Sequence, residues 1–139
     1  MQAIKIIDNE KTLKSVLEMC WDILGKPKTD TYSEQAWKER LTQSELLIYM
    51  EVDGEIVSAA LGRAESPESV VLGYCCCKKE FRRSGITSSL LGVLEKNASK
   101  SGYKYITLGS DDSARGFYEK CGYTLVNEIH GQRVYQKIL

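Results

Sequence analysis

The chain has 139 residues, enough for one domain with a buried core. Nineteen basic residues balance nineteen acidic ones, so the broad cationic face that nucleic-acid binding needs is missing. A mixture of 42% hydrophobic and 27% charged residues is that of a globular domain and excludes disorder over most of the chain. The five cysteines, Cys20, Cys75, Cys76, Cys77 and Cys121, suit reduced thiols in a cytosol better than a disulfide framework, because three are contiguous and the count is odd. No signal-peptide pattern opens the sequence and no apolar run approaches membrane-spanning length, so a cytoplasmic protein with no membrane partner is expected.

Ala3–Ile7 reads as a first strand, and Asp8 or Asn9 can cap the helix that follows. In that helix Leu13, Val16, Leu17, Cys20, Trp21 and Leu24 recur at three- and four-residue steps, and Gly25 with Pro27 should stop it. Thr31 and Glu34 form a capping-box pattern opening a second helix that carries Ala36, Trp37 and Leu41. Between the two helices, Gly25–Tyr32 is a loop of the kind that shapes substrate pockets. Leu46–Val52 and Glu55–Leu61 flank Asp53-Gly54, a strong hairpin signal because both turn residues tolerate positive φ. After a turn over Arg63–Ser69, Val70–Cys77 is apolar on both faces and should be a central, doubly covered strand. A loop then opens a helix that buries Ile86, Leu90, Leu94 and Ala98 and ends near Ser101-Gly102, where Lys96 and Lys100 suit the last turns. Tyr105–Leu108 returns as a strand, and one helix between two strands makes a βαβ crossover with parallel neighbours. Asp111, Asp112 or Ser113 can cap a short helix over Ala114–Lys120 that Gly122 closes. Tyr123–Ile129 and Arg133–Leu139 form a last hairpin turning at His130-Gly131. The result is one mixed α/β domain over residues 1–139, with no repeat or linker.

The chemistry gathers at the loop after the central strand. Lys78, Lys79, Arg82 and Arg83 face only Glu80, and Gly85 lets the backbone approach a ligand without a Cβ in the way. Amides around Arg83, Ser84, Gly85, Ile86 and Thr87 would point at a pyrophosphate at the helix N-terminus, and Arg82 and Arg83 could pair with further phosphates. In isolation a solvated cationic turn with one Gly looks the same. The loop is neither a Walker loop nor a dinucleotide fingerprint, because the required Gly spacings do not occur. Cys75 and Cys77 point to one face of their strand and Cys76 to the other. Such sulfurs act mostly as small buried hydrophobes, although a thiolate there could attack a thioester. Three adjacent cysteines and a single histidine do not make a tetrahedral metal site.

Together with the order of elements, Arg82-Arg83-Ser84-Gly85-Ile86-Thr87 and Ala114-Arg115-Gly116-Phe117-Tyr118-Glu119-Lys120-Cys121-Gly122-Tyr123 resemble the GNAT acyltransferase superfamily over nearly the whole chain. The resemblance implies a largely antiparallel sheet with a central parallel strand pair flanked by helices, acetyl-CoA as acyl donor, and an acetyltransferase acting on an amine of a small molecule or peptide. It further implies that the loop amides hold the CoA pyrophosphate. The backbone at Cys75–Cys77, where the strand splays from its neighbour, would meet the acetyl carbonyl, and Tyr118 would protonate the departing thiolate. Two positions depart from the pattern. Thr87 stands where Gly or Ala is preferred, and Asp111 where Asn is usual. Val70–Tyr74 contains no acidic residue, so the strand Glu that serves some members as base is absent. Glu51, Glu65, Glu68, Asp112 and His130 remain as candidates, beside a water chain or an amine arriving neutral. The acceptor pocket is expected between Gly25–Tyr32 and the last hairpin, whose edge could also pair with a second copy into a homodimer. A CoA-binding regulatory or partner module without turnover is the alternative reading, and a structural module that binds no CoA is the third.

Overall fold

The computed structural model describes residues 1–110 and 115–139. Strand β1 (Gln2–Ile6) leads to helix α1 (Glu10–Leu24), which Asn9 caps by accepting from the Thr12 amide. Helix α1 ends at Gly25, whose φ of 95° takes the chain out of the helix. The second helix does not start on the expected Thr31–Glu34 box. Thr31 lies in a 3-10 turn over Asp30–Tyr32, and Ser33 is the cap, accepting from the Ala36 amide at 3.1 Å. Ser33 wins because it alone is extended with its hydroxyl over the open amides. Helix α2 (Glu34–Glu39) is therefore short, and Leu41 falls in the 3-10 segment Arg40–Leu46.

The Asp53-Gly54 turn, at φ 49° and 83°, joins β2 (Leu47–Val52) to β3 (Glu55–Ala64) as the dipeptide predicts. Strand β4 (Ser69–Cys77), helix α3 (Ile86–Lys100) and β5 (Tyr105–Ser110) make the βαβ unit, with β4 and β5 parallel. Helix α4 (Arg115–Lys120) and the hairpin of β6 (Thr124–Ile129) and β7 (Gln132–Ile138) complete the chain. Asp111, Asp112, Ser113 and Ala114, the expected start of the last helix, lie outside the described residues. The seven strands form one sheet in the order β1-β2-β3-β4-β5-β7-β6, antiparallel except at β4–β5. No helix among the described residues is long and apolar enough to cross a membrane.

Strand β4 is central and covered on both faces. One core packs α3 and α4 on the sheet through Leu90, Leu94, Ala98, Tyr118 and Tyr135; the other packs α1 and α2 through Leu13, Leu17, Cys20 and Trp37. The alternation of side chains along β4 breaks once. Leu61 pairs with Tyr74 but Gly62 pairs with Leu72, so Gly73 is an extra residue, a bulge. Before the bulge Val70 and Leu72 join the α3 core; after it Tyr74 and Cys76 join the α1 core. That reversal sends Cys75 and Cys77 to the α3 side.

Candidate active site

The ladder between β4 and β5 stops early. Only Ser69, Val70 and Val71 pair with Tyr105, Ile106 and Thr107. From Leu72 onward the β5-facing edge of β4 has no strand partner among the described residues, while β5 goes on pairing with β7 as far as Ser110. Two parallel strands that part in this way leave a wedge with unpaired backbone groups along one wall. A cleft of about 590 Å³ opens there, lined among others by Cys75, Cys76, Cys77, Arg82, Arg83, Gly85, Ile86, Thr87, Phe117 and Tyr118. Ser84, the remaining residue expected at the site, donates its hydroxyl to the Phe81 carbonyl and so shapes the loop from behind.

The loop has the geometry of an anion cradle. Arg83 and Gly85 both take left-handed backbone, at φ 63° and 81°. Gly85 is the N-cap of α3 and makes no side-chain cap, so the first amides of a fifteen-residue helix meet no capping oxygen. Its Cβ position has nothing within 4 Å, so glycine is needed for conformation, not for space. The cations nearby are partly spoken for. Lys78 pairs with Glu55 at 3.1 Å, and Arg82 Nε donates to the Cys77 carbonyl at 3.1 Å, tying the loop to the end of β4. Arg83 is exposed at the cleft.

Cys75 and Cys77 are held as thiols. Burial pushes Cys75 up to about 12, against the opposing effect of a hydrogen bond with the Tyr118 hydroxyl. Burial likewise raises Cys77, against the opposing effect of the Ser58 and Thr87 hydroxyls beside it. Thr87, the departure from the pattern, thus stands in the first turn of α3 beside the last residue of β4. Ser58, fully buried, donates to the Cys76 carbonyl at 2.7 Å and fixes the same strand end from β3. On the other face the Cys76 thiol meets Cys20 at 3.5 Å.

Tyr118 is 8% exposed and stands against Phe117, Tyr123 and Tyr135, with ring centroids 5.2, 5.9 and 6.1 Å away. Its hydroxyl reaches Cys75 across the wedge. One ring thereby packs the α4 core and sets a polar hydrogen beside the open edge of β4.

The sequence matches the acetyltransferase (GNAT) domain over residues 21–134. The chain belongs to the GNAT acetyltransferase family. Solved structures agree in fold. Ard1 from Thermoplasma volcanium superposes with a TM-score of 0.83 at 17% identity, covering 99% of this chain and 97% of that one. Naa50 from Arabidopsis thaliana, in complex with the bisubstrate analogue CoA-Ac-MVNAL, gives 0.80 at 20% identity over 98% and 97%. The PaiA N-acetyltransferase from Thermoplasma acidophilum, in complex with coenzyme A, gives 0.79 at 15% identity over 100% and 99%. No curated protein sequence matches the chain.

Within this GNAT domain the expected bases are scattered. Glu51 pairs with Lys5, Glu65 with Arg63 and Glu68 with Lys104, all through exposed or half-exposed groups away from the cleft. Asp112 lies outside the described residues, and His130 sits exposed in the β6–β7 turn. No residue of Gly25–Tyr32 or of the last hairpin lines the cleft; Ile23 and Leu24, at the end of α1, do so instead. Leu24 is 51% exposed, an apolar side chain held at the mouth. Three contributors escaped sequence reasoning: Ser58, the Gly73 bulge and the Cys75–Tyr118 contact. Gly73 is the one with a visible signal, as a lone glycine inside an apolar strand run.

Proposed function

We propose that this GNAT domain is an acetyl-CoA-dependent N-acetyltransferase that works by direct attack of an acceptor amine in a ternary complex. The pyrophosphate of the donor is held by the uncapped amides of Ile86, Thr87 and Ser88 and by Arg83, with Arg82 bracing the loop. The residues fit such a group: two left-handed loop positions, a glycine cap and a cation gather at one helix end. The acyl end runs along the open edge of β4, where backbone donors near Cys75 and Cys77 stabilise the oxyanion, each worth about 3–4 kcal/mol. Tyr118 delivers a proton to the departing thiolate.

The observation that carries this reading is the Tyr118 hydroxyl held at Cys75, on the wall of the cleft that also receives the start of α3. Direct attack is favoured over an acyl-cysteine route because burial keeps Cys75 a protonated thiol at neutral pH. On this reading the amine arrives neutral or loses its proton through water. The rate should therefore rise with pH up to the ordinary pKa of the acceptor amine itself.

Calorimetric titration with acetyl-CoA, followed by a CoA-release assay over amines, amino acids and peptides, tests the proposal. Binding together with release for at least one acceptor is expected. Binding without release across the panel would leave the non-catalytic CoA-binding module. No binding at all would remove both readings.

A further inference from the structure

The α1 and α2 face of β4 holds two buried donors with no acceptor among the described residues: Nε1 of the fully buried Trp37 and Nη1 of Arg40. The Arg40 guanidinium lies 4.4 Å from the Trp37 ring centroid and 6.0 Å from that of Tyr32. Arg63 covers the same Tyr32 ring at 5.6 Å and donates Nε to its hydroxyl at 3.3 Å. The two cations are unequally matched. Arg63 has a carboxylate, Glu65, at 2.8 Å, whereas among the described residues Arg40 makes no ion pair and is attracted only by its chain neighbour Glu39. Burial and the like charge of Arg63 hold Arg40 below the ordinary guanidinium range. A buried N–H without a partner and two cations around one ring are both unfavourable. A bound water would relieve the first but not the second. A carboxylate on the part-exposed side of Arg40 and Arg63 relieves the second, because it only accepts and its two oxygens match the guanidinium fork.

The cluster also stands beside the reacting strand. A Cβ on Gly73 would lie 2.7 Å from Tyr32 and 2.9 Å from Trp37, so these rings rest directly on the β4 bulge. Arg63 pairs with Val71 across the β3–β4 ladder. Cys75 is two residues past Gly73, about 7 Å at roughly 3.3 Å per residue. We propose that Arg40, Arg63 and Tyr32 form the carboxylate-recognition subsite for the acceptor, whose class is an amine that also carries a carboxylate, such as an amino acid. The proposal rests on the acetyltransferase reading for the amine and on the cluster alone for the anion.

Acetyl transfer is compared for acid and amide pairs of increasing length: glycine and glycinamide, β-alanine and β-alaninamide, γ-aminobutyrate and its amide. At least one acid is expected to exceed its amide tenfold or more in kcat/KM. Arg40→Gln should cut that preference to less than threefold while the Kd for acetyl-CoA stays the same, and Arg63→Gln serves as the second variant should Arg40→Gln fail to fold. Equal use of acids and amides, or a preference that survives both substitutions, overturns the subsite. Calorimetry with the same acids and with inorganic phosphate, without acetyl-CoA, separates the two levels. Acids that bind the wild type but not Arg40→Gln, with no CoA released, keep the subsite and overturn the transferase reading. CoA release with amines alone, and no acid bound, does the reverse. Phosphate bound more tightly than every acid overturns the carboxylate assignment.

Discussion

The two faces of β4 are built on opposite plans. On the α3 and α4 face, Cys75, Cys77, Thr87 and Tyr118 are small or hydroxylic and gather beside an open strand edge. On the α1 and α2 face, Tyr32, Trp37 and Tyr74 stack with centroids 5.5 to 5.7 Å apart, with Arg40 and Arg63 over Tyr32. One inserted residue separates the plans. Without the Gly73 bulge, a period of two would place Cys76 on the α3 side in register with Val70 and Leu72. A single bulge thus gives one strand an open-edged wedge on one side and an aromatic, cationic shelf on the other.

Substitutions that break one plan should spare the other. The largest effect is expected from Tyr118→Phe, which removes the proton beside Cys75 and should lower kcat by about a hundredfold or more, as loss of a general acid does. Its Kd for acetyl-CoA should stay within twofold, measured by calorimetry; an unchanged kcat would remove Tyr118 from the chemistry. Gly73→Ala comes next. The added methyl meets two rings, one of them on the fully buried Trp37, so overpacking of about 1–3 kcal/mol is expected in urea unfolding. The acceptor KM should rise while acetyl-CoA binding holds. Gly85→Ala acts on the other side. Space is free there, but φ of 81° costs an L-residue about 1–2 kcal/mol, and any relaxation of the loop should weaken acetyl-CoA binding and leave the Tyr32–Trp37 shelf intact.

The smallest effect is a pH dependence. Cys75 stays protonated in the folded chain up to about 12, whereas the unfolded thiol ionises near 9. Below pH 9 both states carry the proton and the contribution is fully present; as pH rises toward 12 the unfolded chain loses its proton first and stability falls. Cys75→Ser should flatten this alkaline decline in thermal unfolding, and an unaltered decline would show that Cys75 is not its source.

Much of the α3 side was legible in the sequence, because its signals are local. Asp53-Gly54 forces its hairpin, Gly85 marks the left-handed cap, and the strand, loop and helix around Arg82–Thr87 are contiguous. Alternation alone placed Cys75 and Cys77 opposite Cys76. The other face was not legible, because it is made of partners distant in sequence. Cys20 meets Cys76, Trp21 meets Tyr74, and Arg63 meets Tyr32, each pair more than thirty residues apart. Ser33 displaced Thr31 as a cap for a similar reason. The 3-10 turn that brings Tyr32 onto Gly73 reads as loop from the sequence, and it consumes Thr31.

Chemical-shift mapping on ¹⁵N-labelled protein tests most directly whether the donor occupies the α3 side of β4. On addition of acetyl-CoA, the amides of Cys75–Cys77 and of Arg83–Ser88 should move, while the Trp37 indole N–H stays where it is. Shifts concentrated at Trp37 and Arg40, with the loop before α3 unmoved, would contradict the assignment of the two faces.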